Sequence, residues 1–247
     1  MISRRTALIG VGALTLSGCE RVTRSPTVRK ILTFGEKATL TSQRLVTNRN
    51  ALAPEFTRAD LSPRFRVNGN AMPASPEYAR HVATGFADWA LEVGGLVQNP
   101  LRLTLAQLKA APQRTQITRQ DCVEGWSAIG EWTGVPLSLL LRHAQISDKA
   151  QFIVFHCADD FSGIPYYESI DMIDALHPQT ILAHTMNRQP LPIGHGAPIR
   201  LRVERALGYK QAKFVMRIEA VASLTGIHGG KGGYWEDHSG YQWFAGI

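Results

Sequence analysis

The stretch TRQDCVEGW, residues 118–126, sets one of only three cysteines in the chain three residues after Arg119 and directly before a Val-Glu-Gly-Trp run. Three chemistries are open to a lone thiol in such a place: inert packing, nucleophilic attack as a thiolate, or service as the single soft ligand of a metal. Arg119 would favour the thiolate form of Cys122, since a neighbouring cation stabilises the anion. The other cysteines are Cys19 and Cys157. Cys122 and Cys157 could also pair in an oxidising compartment, and spacing alone does not decide it. A conventional zinc site is disfavoured, because the chain has no CxxC or HExxH and its histidines (143, 156, 177, 184, 195 and 228 among them) are scattered.

If one thiolate holds a metal, an organic cofactor must supply the remaining ligands, and such cofactors usually carry phosphate. Phosphate is held by guanidinium, ammonium and backbone N–H donors. The segment HGAPIRLRVERALGYKQAK, residues 195–213, offers Arg200, Lys210 and Lys213, with glycines at 196 and 208. The same residues could be the solvated face of a basic strand, and spacing leaves both readings open. GGKGG, residues 229–233, lacks the P-loop spacing and its Ser/Thr, and reads as a flexible turn.

The elements that must position these groups are short. WALEVGGLVQNPLRLTLAQL, residues 89–108, carries two apolar alternations around Asn99-Pro100 and reads as strand, turn, strand. Thr104 with Gln107 three later is a capping-box pattern, predicting a short helix to about Ala111 before Pro112. ITRQDCVEGW reads as a strand leading into a loop, and residues 134–144 as an amphipathic helix with Pro136 near its first turn. Residues 151–160 alternate and predict a strand ending at Asp159-Asp160, whose carboxylates, with His156, could adjust the charge of a nearby site. Residues 169–177 read as a helix stopped by Pro178. In residues 197–205 the alternation predicts Ile199, Leu201 and Val203 inward and Arg200, Arg202 and Glu204 outward. Residues 213–224 predict a last long strand before a Gly-rich, aromatic tail. Strands and helices mix without a βαβ rhythm, which argues an α+β fold with largely mixed sheets.

With 247 residues and 44 % hydrophobic content, the chain can bury one sizeable core. The formal net charge is +7, but Lys and Arg are scattered and no nucleic-acid recognition motif appears. At the N-terminus, MISRRTALIGVGALTLSGC has a basic pair, Arg4-Arg5, and an eleven-residue apolar run from Thr6 to Leu16. That run has signal-peptide length and is too short to span a bilayer. SRRTAL resembles a twin-arginine export signal and LSGC a lipobox, which would make Cys19 the lipidated first residue of a mature protein. The organisation expected is therefore 1–19 signal, 20–60 polar tether followed by irregular or short helical structure, 61–225 a single domain, and 226–247 the Gly/aromatic tail.

The segments RQDCVEGWSAIGEWTGVPLSLLL and MNRQPLPIGHGAPIRLRVERALGYKQAKFVMRIEAV together resemble the molybdopterin-binding core of the sulfite oxidase superfamily, and within it the methionine-sulfoxide reductase type. The resemblance covers roughly residues 65 to 225. It implies a sulfite-oxidase-type fold and a molybdenum cofactor with one pterin, the metal being ligated by Cys122. Asn68 in FRVNG would then touch the pterin. Cys157 stands where relatives often carry Thr against the cofactor. His195 and Arg200 would lie on the cofactor, and Gln211, Ala212 and Lys213 on its phosphate, with Lys210 nearby. Tyr166 would sit by the metal, with Tyr167 as a shifted alternative. The implied activity is oxygen-atom transfer: sulfoxide or N-oxide reduction, or sulfite-type oxidation of a small-molecule or oxidised-sulfur substrate. The sequence contains no CxxCH, so electrons would be exchanged with a membrane b-type cytochrome or a soluble cytochrome c. A twin-arginine route, which carries folded protein, suits a protein that takes up its cofactor before export. It would end in the periplasm, lipid-anchored to a membrane. Two further readings stand beside this one: a cofactor-free binding lipoprotein of the same fold, and a cysteine-nucleophile enzyme in which His156 or His195 activates Cys122.

Overall fold

The structure, a computed structural model, describes residues 25–247; the expected signal segment and Cys19 lie outside the described residues. The chain divides into a unit up to Asn48 and a second from Arg49 to Ile247. In the first, residues Pro26–Val46 form helix α1, with Pro26 at its first turn. A helix of 21 residues corrects the expectation of a tether with only irregular or short helical structure. Pro at the first turn presets a helical φ, and one glycine at 35 is not enough to break a run otherwise free of proline. No helix among the described residues is long and apolar enough to cross a membrane.

The second unit is built on two five-stranded sheets. The chain enters the first sheet through helix α2 (Pro76–Ala83), capped by the Ser75 hydroxyl, which accepts from the Tyr78 amide. Strands β1 (Ala90–Gly95) and β2 (Leu101–Thr104) pair antiparallel on either side of the Asn99-Pro100 turn. The capping box then starts α3 (Leu105–Ala110): the Gln107 amide donates to Thr104 Oγ1 at 3.2 Å, and the Thr104 amide donates to Gln107 Oε1 at 2.9 Å. Strands β3 (Arg114–Asp121) and β4 (Ser127–Pro136) form a hairpin whose loop carries Cys122. The following helix, α4, spans Leu137–His143 rather than starting at 134, because Gly134 to Pro136 complete β4.

β5 (Phe152–Phe161) and β6 (Ile164–Asp171) turn over Ser162-Gly163, both with positive φ, as a tight hairpin turn requires. The expected helix over 169–177 is corrected: β6 runs on to Asp171, and only Met172–Ala175 is helical (α5), with Asp171 capping it. Residues 169–171 pair with 152–154, so the ladder outcompetes a local helix. Strands β7 (Ile181–Met186), β8 (Gln189–Pro190), β9 (Arg200–Arg202) and β10 (Val215–Val221) follow, and helix α6 (Tyr234–Ser239) lies in the tail. The first sheet has the order β2-β1-β10-β5-β6; the second is β3-β4-β7-β8, with β9 also on β7. β1 and β10 run parallel and the other pairs antiparallel, the mixed arrangement that the irregular element order implies.

The main core gathers Trp89, Leu91, Leu137, Leu141, Phe155, Ile199, Leu201 and Ile218, and a smaller cluster forms around Trp132. Here the alternation in 197–205 predicts half of the outcome. Ile199, Leu201 and Val203 are inward, but Arg200, Arg202 and Glu204 are buried as well, at 4, 0 and 3 % exposure. The outward expectation fails because the polar face of β9 meets other polar side chains instead of water. Arg202 grips the Glu204 carboxylate through Nε at 2.9 Å and Nη2 at 2.6 Å, and donates from Nη1 to Gln120 Oε1 at 2.6 Å. Its guanidinium lies 4.3 Å from the centre of the Trp132 ring. Gln116 Nε2 closes the network on Glu204 Oε1 at 2.8 Å.

Removing one member of such a pair strands a charge in low dielectric. Arg202→Met is therefore expected to lower the free energy of unfolding by about 3–5 kcal/mol, read from denaturant titration. Arg202→Met combined with Glu204→Leu should recover most of that loss, and additive losses would contradict the pairing.

Candidate active site

Cys122 occupies the loop between β3 and β4. Its amide donates to Trp126 O at 2.9 Å and its carbonyl accepts from Gly125 N–H at 3.0 Å; Gly125, at φ 82°, supplies the left-handed turn. The thiol is 7 % exposed and receives a hydrogen bond from Asn68 Nδ2 at 3.1 Å. Burial, the largest influence, pushes its pKa up, and hydrogen bonds from the Glu124 amide and Asn68 oppose that only partly. The protein on its own thus holds a thiol. A coordinated metal ion would deprotonate it.

Arg119 does not help. It stands on the other face of β3, with a side chain 55 % exposed, and binds Asp121 at 3.0 Å. Its expected catalytic place at the thiol is corrected: the alternation of β3 puts residues 118 and 120 inward and 119 out. No histidine hydrogen-bonds Cys122 among the described residues. His156 is held by Glu219 and Arg217, and His195 packs edge-on to Phe65, its pKa pushed down to about 4 by burial and then by Arg200. Both thiols are free, Cys157 included.

Beside the Cys122 loop, with Val123 and Glu124 on its wall, lies a cleft with about 810 Å³ of empty space counted out to its open mouth. Asn68, Tyr166, His195, Arg200, Gln211 and Lys213 all line it. Lys213 ties the 68–70 loop to the wall, its Nζ donating to Asn68 O at 2.6 Å, Asn70 O at 2.5 Å and Gly194 O at 3.0 Å. Gly196 lets Lys213 approach: a Cβ there would stand 2.9 Å from that of Lys213, at a φ of 109°. Arg200 donates to His195 O, Gln120 Oε1 and Gln211 O. Ala212 is buried and contributes its carbonyl to the Leu201 amide. Of the two candidate tyrosines, Tyr166 reaches the cleft and donates to Tyr209 O at 2.9 Å. Tyr167 turns the other way, onto Asp237.

Of the expected contacts, Cys122, Ala212, Lys210 and Cys157 do not line the cleft themselves; Cys122 is next to it through Asn68, Val123 and Glu124. Lys210 does not line the cleft; its ammonium is buried between Glu168 and Glu236, 2.7 Å from the latter, and fastens the tail. Cys157 borders a second cavity behind β5 rather than the cleft. The tail divides its work: Trp235 and Tyr241 wall the cleft, while Trp243 packs on Phe152 and donates to Ser169 Oγ. Sequence reasoning missed Gln120, which orients both arginines. Its signal was present in the buried polar alternation Gln116, Thr118, Gln120, unusual for a strand facing a core.

The cleft fits an anionic, metal-bearing cofactor on its own evidence. Arg200 and Lys213 make no ion pair among the described residues, and burial presses their pKa values down to about 9 and about 8. Among the described residues, Arg200 Nε and Gln211 Oε1 are buried there without hydrogen-bond partners, and such atoms are completed by a ligand or an ordered water. Among the described residues, no group of three or more His, Cys, Asp or Glu side chains could hold a metal unaided, so a cofactor bringing its own ligands matches the single thiol.

Residues 79–225 match the family described as oxidoreductase molybdopterin-binding domain. The chain is 38 % identical, over 98 % of its length and 86 % of the other's, to a chain from Azospira oryzae named "Putative protein-methionine-sulfoxide reductase subunit YedZ1". It is 35 % identical over 55 % of its length to the protein-methionine-sulfoxide reductase catalytic subunit of Xanthomonas axonopodis pv. citri, of which it spans 46 %. Among solved structures it resembles the sulfane dehydrogenase of Paracoccus pantotrophus, with a TM-score of 0.51 and 26 % identity over 56 % of this chain and 39 % of that one. The fold is the sulfite-oxidase type, and the chain belongs to the molybdopterin-binding oxidoreductase family, an oxidoreductase whose cofactor is molybdenum with molybdopterin.

Proposed function

We propose that the protein reduces sulfoxides, with methionine sulfoxide the substrate class, and receives electrons from a separate cytochrome. The observation that carries the reading is one cleft lined by Asn68, which hydrogen-bonds the Cys122 thiol, together with Arg200 and Lys213, which make no ion pair among the described residues. In this arrangement Cys122 ligates the metal, Asn68 orients the sulfur, and Arg200, Gln211 and Lys213 hold the phosphate. His195 stays neutral near pH 7 and can donate or accept one hydrogen bond without adding charge. When bound, the cofactor supplies oxygen-atom transfer coupled to a two-electron change.

Phe161, Tyr209, Trp235 and Tyr241 line the same cleft, and aromatic side chains suit the methyl and methylene groups of a thioether product. Reduction of a sulfoxide by two electrons and two protons gives a thioether and water, so the site must admit protons as well as substrate. The relatives' names as subunits support a second chain; the proposal gives it the role of electron carrier, a b-type cytochrome in a membrane or a c-type in solution. Export through the Arg4-Arg5 signal and lipidation of Cys19 complete the proposal, placing the enzyme at a membrane facing the periplasm.

The holoenzyme is expected to reduce methionine sulfoxide and small sulfoxides with a reduced dye as donor, and to oxidise sulfite at least tenfold more slowly; the reverse preference would overturn the substrate assignment. Lys213→Met and Arg200→Met should each weaken cofactor retention roughly 10- to 150-fold, the equivalent of losing about 1.5–3 kcal/mol of charge-assisted bonding, read as pterin content after dialysis. Full retention in both would show that the phosphate lies elsewhere. Cys122 should resist alkylation in the holoenzyme and react once the cofactor is released, whereas fast alkylation in the loaded protein would restore the nucleophile reading.

A further inference from the structure

A second cavity lies on the far side of β5, with about 1200 Å³ of empty space counted to its mouth, and it opens to solvent between exposed Glu77, Glu92 and Arg102. One carboxylate, Asp159, lines both this cavity and the cleft. It is 4 % exposed, and among the described residues its Oδ1 has no hydrogen-bond partner while Oδ2 accepts from Asn70 Nδ2 at 3.5 Å. The local backbone explains how one residue reaches two chambers. β5 loses register with β6 between His156 and Asp160, and β10 slips against it between Val215 and Arg217. A bulge breaks the strict alternation of a strand and re-aims a side chain.

We propose that Asp159 is a proton relay between the outer cavity and the cleft. The inference rests on the sulfoxide-reductase reading. Each turnover there consumes two protons with two electrons from the cytochrome donor and yields thioether and water. Asp159 carries the protons one at a time: the acid gives its proton into the cleft, the carboxylate takes another from the solvent side, and the residue ends unchanged. The Asp159 amide and Asn70 favour the carboxylate, but no ion pair locks it among the described residues. The groups facing Asp159 are Lys213 before β10, Asp160 and Cys157 on β5, Tyr166 on β6, Tyr78 on α2 and the Asn70 amide. Burial raises its pKa to about 6, with Lys213 pulling the other way. The acid form is therefore complete below that value and is lost as pH rises through it, so the relay weakens towards alkaline pH.

The test uses holoenzyme of the wild type, Asp159→Asn and Asp159→Glu. Infrared titration should show a carboxylic-acid C=O band that disappears around pH 6 in the wild type and is missing in Asp159→Asn. Sulfoxide reduction by the wild type should fall as pH rises through the same value. Asp159→Asn should lose about a hundredfold in kcat, keep KM within twofold and its molybdenum content unchanged, and lose that pH inflection; Asp159→Glu should regain most of the rate. The molybdenum midpoint potential, followed by electron paramagnetic resonance, should change its pH dependence at the Asp159 inflection in the wild type and not in Asp159→Asn. An Asp159→Asn enzyme that keeps the wild-type pH profile overturns the relay. So does a wild type with no titrating acid band, or a variant that fails only by losing its cofactor. A wild type that shows the acid band and the potential break but reduces no sulfoxide would overturn the functional reading instead.

Discussion

Two cations, Arg200 and Lys213, are held inside the protein at the edge of a cleft with no carboxylate in ion-pair contact among the described residues. Burying charge without a partner is costly, and a protein that does so stores affinity for an anion. Much of the surrounding architecture keeps these cations in place and unneutralised. Glu204, the acid nearest in sequence to Arg200, is gripped bidentately by Arg202 and attracts Arg200 without a salt bridge to it among the described residues. Gln120 holds both guanidinium groups through one oxygen, and Trp132 lies beneath both, 5.1 Å from Arg200 and 4.3 Å from Arg202. Lys213 is held by three backbone carbonyls, which fix its position without cancelling its charge.

The same economy of charge explains the rest of the site. Cys122 is the one soft donor, and the structure keeps it as a protonated thiol, hydrogen-bonded to Asn68, where the alternative of a cation-stabilised thiolate would make it a nucleophile. Lys210 is removed from the cleft by Glu168 and Glu236, and that buried triad fastens α6 so that Trp235 and Tyr241 form a fixed wall. The lysine that lines the cleft without an ion pair and the lysine that fastens the tail are thus only three residues apart.

Much of this was legible in the sequence, for physical reasons. The Cys122 loop, the β9 segment and the Lys213 region could be recognised because their residue types are uncommon and their order recurs. The α3 capping box and the strand around 152–161 follow local rules. What could not be read was which polar residues face inward. Alternation assigns faces but does not say what waits on the polar side, so Arg200, Arg202 and Glu204 were placed in solvent when a second polar face, that of β3, covered them. Arg119 misled by nearness along the chain: on a strand, a residue three positions away points to the opposite face. Lys210 and Lys213 look equivalent in sequence, and only the tail's return, some 25 residues later, separates them. Asp159 reads as a strand-end carboxylate able to adjust the charge of a nearby site, but the bulge that sets it between two cavities leaves no clear mark in the sequence.

The central claim is that Cys122 is the one protein sulfur on a metal whose organic part is anchored across the cleft by the buried cations. X-ray absorption at the molybdenum edge of the intact holoenzyme measures this directly. The account predicts a sulfur shell of three scatterers, two from the pterin and one from Cys122, falling to two in Cys122→Ser. A shell of two in the wild type, or one unchanged in the variant, would contradict it.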